Sequence, residues 1–514
     1  MMLTRRLLFG TLGTLPLTRL ARGQPVHRLT VLHMNDFHSR HLPVDRRTVA
    51  CGGNPAQDSC FGGSARLATA FAQQRAAAEA DGRAVLHLDA GDQFQGSLFY
   101  TAHRGMAELA VMHAVGADAM AVGNHEFDNG PAVLARFVRA ARFPVLSANI
   151  DASAEPALAG LIRPYALFDR AGMRVAVVGL TTTETLVSSS PGPNIRIGDP
   201  AAALARAAAD ARAAGAQAVI ALSHLGVLAD ARLGVPGIAA IVGGHSHTLL
   251  SNTEREALAP YPVPVAAGAL MVQAGAYGRF LGRLDLDLDA GGRVVAYGGA
   301  CGRVGMDLEE DQAVASIVAG FAAPLQEVRR RPAGVVAEGL GVAGCRVGPC
   351  RFGTMVAGVL LDAAHGAQVG LVNAGAMRNG LQAGPVTVGD VLEALPFGNT
   401  LATATLTGAD LRDTIEHGLT LVGRGGFPHW AGARVEWDIA RPPGQRITAL
   451  EVAGPDGAWV PVEDAARYRV ATNNFIRQGG DGYTALRDRA TDVYDAGTDM
   501  AELVAEALAS GRAR

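Results

Sequence analysis

The chain has 514 residues, which is too long for a single hydrophobic core, so two domains are expected. Hydrophobic residues make up 49% of the chain and charged residues 18%, a composition that excludes a disordered protein. The formal net charge of −3 argues against binding to nucleic acid polymers, because such binding requires a strongly basic face.

The first residues have the pattern of a targeting signal. Arg5 and Arg6 precede an apolar stretch over residues 7–15, and small and polar residues follow at 21–24. This pattern predicts a signal peptide over residues 1–24, exported by the general or the twin-arginine route. The alternative is a short membrane anchor, but the stretch is too short to cross a bilayer. We therefore expect a periplasmic or secreted protein with no membrane anchor after cleavage.

Residues 25–310 alternate between strand-like and helix-like runs, which predicts an α/β domain with layers around a central sheet. The predicted helices cover residues 64–80, 105–115, 131–141 and 200–214. A charged amphipathic stretch follows, and it predicts one connecting helix within a linker over residues 311–334, closed at Pro332. Residues 335–514 mix helix-like and strand-like runs and are expected to form a second domain of the α+β class.

Two pairs among the five cysteines lie close in sequence. Cys51 with Cys60 and Cys345 with Cys350 are interpreted as two small disulfide loops of an exported protein, which leaves Cys301 unpaired. A structural zinc site would need four clustered ligands, and no further ligands lie near these pairs. Free thiols are the remaining alternative.

Five strand-like runs of the first domain each end on Asp, His or Asn. The residues concerned are Asp36, His38, Asp92, Asn124, His224, His245 and His247. Open α/β sheets bind ligands beyond the carboxyl ends of their strands, so these residues are expected to line one crevice. Oxygen and nitrogen donors without a thiolate favour Zn, Mn, Fe or Co over Ca or Mg. The donors suffice for two divalent cations, which together hold a hydroxide and neutralise phosphoryl oxygens during in-line displacement.

His125 directly follows Asn124 and is expected at the rim of this crevice. There it can stabilise developing charge or protonate a leaving oxygen, and Asp128 can hold its imidazole in the required tautomer. Glu126 is expected to be solvated or to lie behind the ligands. A single histidine such as His224 is more often a packing residue than a ligand, but five converging strand ends favour a metal site.

The second domain contains polar and aromatic residues beside glycines. Arginine binds phosphate through two parallel hydrogen bonds, so the basic side chains among them are candidate anion ligands. Two phenylalanines suit stacking on a nucleobase, and an aspartate suits the ribose hydroxyls. The candidates are Arg346, Asn373, Arg378, Phe397, Phe475 and Asp481. The alternatives are core packing for each phenylalanine and an ordinary turn at residues 479–482.

These motifs resemble those of the calcineurin-like metallophosphoesterases and, within them, the 5′-nucleotidase family. The resemblance is carried by residues 35–38, 91–92, 123–126, 224 and 244–247. It implies an N-terminal metallophosphoesterase β-sandwich flanked by helices and a C-terminal α+β substrate-binding domain. It also supports the two disulfide pairings.

The resemblance further implies a role for each candidate. Asp36, His38, Asp92 and His247 would hold one metal, and Asp92, Asn124, His224 and His245 the other. His125 and Asp128 would form the catalytic dyad. Phe397 and Phe475 would stack on the base, Asp481 would bind the ribose, and Arg346, Asn373 and Arg378 would hold phosphate or nearby groups. Many relatives have Gln or Asn where this chain has His247, so that position departs from the common pattern.

The sequence therefore predicts an exported dimetal phosphohydrolase that releases phosphate from nucleoside 5′-monophosphates such as AMP by attack of a metal-bound hydroxide. Alternative substrates on the same scaffold are nucleotide sugars, dinucleotides, 2′,3′-cyclic nucleotides and nucleoside di- or triphosphates. A nucleotide-binding protein without turnover is disfavoured, because it has no need of the His125–Asp128 pair. A sulfur-ester hydrolase is disfavoured by the predicted base-stacking pair.

Overall fold

The computed structural model describes residues 26–44, 51, 60–395, 397–454, 457–495 and 497–513. The predicted signal peptide at 1–24 lies outside these residues. The chain divides into two compact units. Among the described residues, the first unit comprises 26–44, 60–94 and 104–318, and the second comprises 51, 95–103 and the residues from 319 onward.

The first unit is built from β-strands with helices between them. In chain order its described strands are β1 His27–Met34, β2 Ala84–Asp89, β3 Ala119–Ala121, β4 Val145–Leu146, β5 Ile150–Asp151, β6 Tyr165–Arg170, β7 Met173–Thr181, β8 Arg196–Ile197, β9 Ala218–His224, β10 Ala240–Gly243, β11 Val263–Pro264, β12 Leu270–Val272, β13 Phe280–Leu288 and β14 Val294–Arg303. Its helices are Ser64–Ala80, Met106–Val115, Pro131–Ala140, Thr185–Ser188, Pro200–Ala213 and Val227–Asp230.

Most of these strands form two six-stranded sheets, with the orders β14-β13-β1-β2-β3-β4 and β11-β12-β10-β9-β7-β6. Strands β1 to β4 run parallel, as do β7, β9, β10 and β12. In the first sheet the last residue of β1, Met34, pairs with the last residue of β2, Asp89. In the second sheet Thr181 pairs with His224 at the ends of β7 and β9. The carboxyl ends of each parallel set therefore lie at one edge of its sheet.

The two sheets pack face to face around a common core. Leu29 and Val31 of β1 share this core with Val177 of β7 and Ile220 of β9. The alternate residue Leu32 instead packs against helix residues on the other face, because successive strand side chains point to opposite sides. Helix Pro200–Ala213 packs on the outer face of the second sheet. The predicted β-sandwich flanked by helices is confirmed, and strands buried on both faces explain the continuous apolar runs in the sequence.

The second unit has an α+β fold, as predicted. Its described strands are β15 Pro332–Val336, β16 Val369–Asn373, β17 Gly384–Thr387, β18 Leu401–Thr407, β19 Pro428–Ala431, β20 Ala433–Trp437, β21 Ile447–Ala453, β22 Trp459–Pro461, β23 Arg467–Asn473 and β24 Thr491–Tyr494. Its helices are Leu98–His103, Leu325–Arg330, Arg351–Ala363, Val388–Ala394, Gly408–Leu419, Asn474–Arg477, Thr484–Asp488 and Met500–Ala509. The principal sheet has the order β19-β16-β23-β18-β24.

The predicted connecting helix over residues 311–331 differs from the structure. It is divided into Gln312–Ala322 and Leu325–Arg330, and Pro332 begins a strand instead of closing a helix. The division is explained by Pro324, because a proline ring clashes with the carbonyl four residues earlier and supplies no N–H to the helix.

The cysteines are paired as predicted. Cys345 is bonded to Cys350, Cys51 is bonded to Cys60, and Cys301 is a free, buried thiol. Among the described helices, none combines the length and the apolar character that a membrane crossing requires.

Candidate metal centre and substrate residues

The loops that follow the parallel strands of the first unit bring the predicted metal ligands together. Several of these residues occupy the left-handed region of backbone conformation, which costs roughly 1–3 kcal/mol per non-glycine residue. They are Asp36, His38, Asp92, His245 and His247, with φ between 50° and 74°. Such strain persists only where the surrounding structure enforces it, and here it turns the side chains toward a common centre.

The carboxylate of Asp92 lies at that centre. Its Oδ2 atom is 3.1 Å from Nε2 of His224 and 3.9 Å from Nε2 of both His38 and His125. Its Oδ1 atom accepts a hydrogen bond from the backbone N–H of His125 at 3.0 Å. Asp92 is buried, so its charge is directed at these imidazoles and not at solvent.

Two groups of donor atoms meet near Asp92, which belongs to the second of them. In the first group, Nε2 of His247 is 3.0 Å from Nε2 of His38 and 3.4 Å from Oδ1 of Asp36. The histidine that departs from the family pattern is therefore placed with the other predicted ligands.

The second group comprises Asp92, His224 and His245, with Asn124 alongside. Oδ1 of Asn124 is 2.9 Å from Nδ1 of His245. Within each of the two His/Asp groups the potential ligand atoms lie no more than 4.8 Å apart. The structure thus brings all seven predicted ligands together.

The hydrogen bonds of the buried imidazoles test whether this arrangement fits a metal. Nδ1–H of His224 donates to the carbonyl of Ala90 at 2.7 Å, and Nδ1–H of His38 donates to the carbonyl of Phe94 at 3.1 Å. In the neutral form of each ring, the lone pair of Nε2 therefore faces the centre. Nε2 of His224 is buried and has no hydrogen-bond partner among the described residues. Imidazole lone pairs facing carboxylates, with the opposite nitrogens bound to carbonyls, fit divalent cations.

The charge states are consistent with that fit. Burial raises the pKa of Asp92, but the imidazoles of His224 and His125 outweigh burial and hold it well below its usual value. Burial, with a smaller contribution from His247, lowers the pKa of His38 to about 3, so this ring is neutral. Burial also lowers the pKa of His224, but Asp92 reverses the shift and raises it to about 10. A cation that binds His224 must therefore displace a proton from that ring.

His125 and Asp128 form the predicted pair beside this centre. Nδ1–H of His125 donates to Oδ2 of Asp128 at 2.6 Å, and Oδ1 of Asp128 accepts from the hydroxyl of Ser189 at 2.7 Å. Nε2 of His125 is buried without a hydrogen-bond partner among the described residues. Burial lowers the pKa of His125, but Asp128 and Asp92 more than offset it and raise the pKa to about 9. At neutral pH the ring can therefore donate a proton from Nε2.

Of the two placements expected for Glu126, the structure shows the one behind the ligands and not the solvated one. The residue is fully buried, and its carboxylate accepts hydrogen bonds from the backbone N–H groups of Asp92, Gln93, Phe94 and Gly123 at 2.7–3.2 Å. A carboxylate offers about four acceptor positions, so it satisfies this turn completely. The particular turn that Glu126 holds was not predictable from the sequence, because three of its four donors lie 32–34 residues earlier.

Replacing Glu126 with alanine is expected to lower the free energy of unfolding by at least about 2 kcal/mol, because four buried donors lose their acceptor. Thermal unfolding measures this change. The control is Glu79→Ala, which alters an exposed glutamate and should leave the unfolding temperature unchanged. Equal unfolding temperatures for wild type and Glu126→Ala would show that the turn does not depend on this side chain.

The structure also brings together part of the predicted substrate set in the second unit. Nδ2 of Asn373 donates to Oδ2 of Asp481 at 2.9 Å, and Oδ1 of Asn373 accepts from Nδ2 of Asn473 at 2.9 Å. The guanidinium of Arg378 lies over the ring of Phe397, 4.7 Å from its centre.

The remaining two candidates, Phe475 and Arg346, are held in position by contacts with neighbouring residues. Phe475 is 44% exposed, and a Cβ at Gly480 would come within 2.6 Å of its ring, so that position requires glycine. The carbonyl of Arg346 accepts from the N–H of Gly423 at 2.6 Å. The same loop reaches the turn after β16, where the N–H of Gly375 donates to the carbonyl of Gly425 at 2.6 Å. The loop thus connects Arg346 to the segment that carries Asn373.

Two family matches follow the division of the chain. Residues 29–249 match the calcineurin-like phosphoesterases, and residues 332–488 match the C-terminal domain of 5′-nucleotidases. The fold and the donor groups of the first unit thus define a metal-dependent phosphoesterase that uses divalent metal ions.

Individual relatives narrow this class. The chain is 32% identical to snake venom 5′-nucleotidase of Naja atra over 499 residues, which covers 89% of this chain and 92% of that protein. It is 30% identical to human 5′-nucleotidase over 493 residues, covering 90% of this chain and 84% of that protein. It is 34% identical to the trifunctional nucleotide phosphoesterase YfkN of Bacillus subtilis, but it spans only 32% of that longer protein. The chain belongs to the 5′-nucleotidase family.

Solved structures show the same relationship. The crystal structure of a 5′-nucleotidase precursor from Thermus thermophilus is 37% identical, covers 94% of this chain and 97% of that chain, and superposes with a TM-score of 0.62. The Haemophilus influenzae NAD nucleotidase has a TM-score of 0.79 at 24% identity, with 95% and 97% coverage, and shares the fold.

Proposed function

We propose that the protein is an exported phosphohydrolase that releases phosphate from nucleoside 5′-monophosphates with two divalent cations. The observation that carries the proposal is the placement of Asp92 between two groups of imidazole and oxygen donors, with the His125–Asp128 pair beside them. Asp36, His38, Asp92 and His247 would hold one cation, and Asp92, Asn124, His224 and His245 the other. The donor set suits Zn or Mn.

Two bound cations would lower the pKa of a water molecule, so that it can act as the nucleophile at neutral pH, and would neutralise the phosphoryl oxygens. In the proposed reaction an oxygen from water bonds to phosphorus while the bond from phosphorus to the nucleoside 5′-oxygen breaks. Nε2 of His125 donates its proton to that leaving oxygen. Asp128 holds Nδ1–H and thereby keeps the proton-donating nitrogen directed at the reaction centre.

The second unit would recognise the nucleoside. Phe397 and Phe475 are assigned to the base, Asp481 to the ribose hydroxyls, and Arg346, Asn373 and Arg378 to phosphate or nearby groups. The exposed ring of Phe475 and the hydrogen-bonded Asp481 support this assignment.

Purified enzyme assayed for phosphate release with added Mn or Zn tests the proposal. The panel comprises AMP, UDP-glucose, 2′,3′-cyclic AMP, ATP and p-nitrophenyl phosphate. AMP is expected to give the highest kcat/KM. Preference for a nucleotide sugar, a cyclic nucleotide or ATP would assign one of the alternative substrates. Preference for p-nitrophenyl phosphate would contradict nucleoside recognition. Binding of AMP without release of phosphate would show that the protein binds nucleotides but is not an enzyme.

Replacing Phe475 with alanine is expected to lower kcat/KM for AMP about 5- to 150-fold, because base stacking contributes roughly 1–3 kcal/mol. Hydrolysis of p-nitrophenyl phosphate should be unchanged, since it has no nucleobase. Phe475→Trp keeps an aromatic face and serves as the matched control. If Phe475→Ala impairs both substrates equally, the ring is structural.

We also propose export with removal of residues 1–24, and domains at 25–310 and 335–514 joined by residues 311–334. Both disulfides support an oxidising compartment, and the division of the compact units between Val318 and Ala319 falls within the proposed linker. Mass spectrometry of the protein recovered from the periplasm or the medium determines the mature N-terminus.

A further inference from the structure

We propose that Glu184 is a positioning residue that fixes the tautomer of His245, so that Nδ1 of this ring is available to a divalent cation. The inference rests on the proposed metal binding by the first unit. Its central observation is the contact between Oε2 of Glu184 and Nε2 of His245 at 3.2 Å. Sequence reasoning did not single out Glu184.

The two ring nitrogens of His245 face different partners. Nδ1 lies 2.9 Å from Oδ1 of Asn124, on the side of the donor group that contains Asp92 and His224. Nε2 faces the carboxylate of Glu184. A neutral imidazole carries one proton, and both the amide oxygen of Asn124 and the carboxylate of Glu184 can only accept it. The charged carboxylate is the stronger acceptor, so we place the proton on Nε2, which leaves the lone pair of Nδ1 facing the centre.

His38 and His224 show the same principle with a different acceptor. In each, the nitrogen that faces away from the centre donates to a backbone carbonyl, that of Phe94 for His38 and that of Ala90 for His224. Glu184 is thus the side-chain counterpart of those carbonyls. A carboxylate also makes the opposite nitrogen a more basic ligand than a carbonyl does, which strengthens metal binding.

The backbone places Glu184 at the required edge of the sheet. It follows β7 by three residues, and the last residue of β7, Thr181, pairs with His224. The turn is held by Thr182, whose Oγ1 accepts the N–H of Glu184 at 3.3 Å and whose carbonyl accepts the hydroxyl of Thr185 at 2.8 Å. The side chain of Glu184 is 64% exposed and that of His245 22% exposed, so removing the carboxylate leaves no buried cavity.

The test measures Mn²⁺ binding to the metal-free protein by isothermal titration calorimetry, together with metal content after dialysis. Wild type is expected to bind two ions per chain. Glu184→Ala is expected to bind one of them about 10- to 100-fold more weakly, the range found when such supporting residues are removed. Glu184→Gln keeps an oxygen that accepts the Nε2 proton but loses the charge, so its affinity should lie between those of wild type and Glu184→Ala. Glu79→Ala is the matched control, an exposed glutamate away from the ligands.

Activity supplies a second measurement. The Mn²⁺ concentration for half-maximal activity of Glu184→Ala should rise by the same factor, while KM for AMP at saturating Mn²⁺ stays unchanged. Wild-type affinity of Glu184→Ala for both ions would overturn the inference and leave the proposed function intact. Glu184→Gln as weak as Glu184→Ala would overturn the tautomer argument. A wild-type protein that binds no cation would overturn the proposed function as well.

Discussion

Replacing Asp92 with asparagine is expected to abolish binding of two cations and to reduce kcat/KM for AMP at least about 1,000-fold. The carboxylate lies between both donor groups, and asparagine keeps its size but removes its charge. Two-metal sites contribute several kcal/mol of transition-state stabilisation, and each 1.36 kcal/mol corresponds to a factor of ten in rate.

Metal content by elemental analysis and steady-state kinetics measure the two effects of Asp92→Asn. Asp169→Asn is the control, because that aspartate is 79% exposed and pairs only with the surface residue Arg174 among the ion pairs of the described residues. Full metal content with normal turnover in Asp92→Asn would show that this carboxylate is not shared between two ions.

Replacing His125 with alanine is expected to lower kcat for AMP by about 100- to 10,000-fold, the usual contribution of a general acid, while two cations stay bound. The reason is that Nε2 of His125 is the proton donor to the leaving 5′-oxygen in the proposed reaction. p-Nitrophenyl phosphate has a leaving group that needs no proton, so its hydrolysis should fall much less. The ratio of the two losses therefore separates acid catalysis from a general structural effect.

Asp128→Asn is expected to give a smaller loss with the same substrate dependence, because it weakens the support of the imidazole without removing it. If His125→Ala loses a cation, His125 is a metal ligand. If both substrates suffer equally, His125 stabilises charge on the transferred phosphoryl group and does not protonate the leaving oxygen.

The metal ligands could be predicted because each lies close in sequence to the end of an apolar strand. Each predicted ligand is the last residue of an apolar strand or lies within four residues after one, and parallel pairing aligns the strand ends, as at Met34 with Asp89. The periodicity of the chain therefore locates the edge of the sheet, and the residue types found there indicate a metal. The alternation of the chain predicted α/β layers around one central sheet, whereas the structure has two six-stranded sheets. The sandwich was implied only by the resemblance to the calcineurin-like metallophosphoesterases.

The supporting residues were not predictable because their partners are distant in sequence. Glu126 accepts hydrogen bonds from a turn 32–34 residues earlier in the chain. Glu184 contacts the ring of His245, 61 residues later, and the hydroxyl of Ser189 donates to Asp128, 61 residues earlier. A single acidic or hydroxyl residue carries no local sign of such a contact. The divided connecting helix is a different case, since Pro324 is a local signal in the sequence that the prediction of a single helix did not take into account.

Anomalous diffraction from crystals soaked in Mn²⁺ is the sharpest test of the proposed two-cation centre. Two peaks are expected about 3.5–4 Å apart, the separation typical of two-metal sites, with Asp92 between them. One peak should contact Asp36, His38 and His247, and the other Asn124, His224 and His245. A single peak, or peaks away from Asp92, would show that Asp92 does not join two cations.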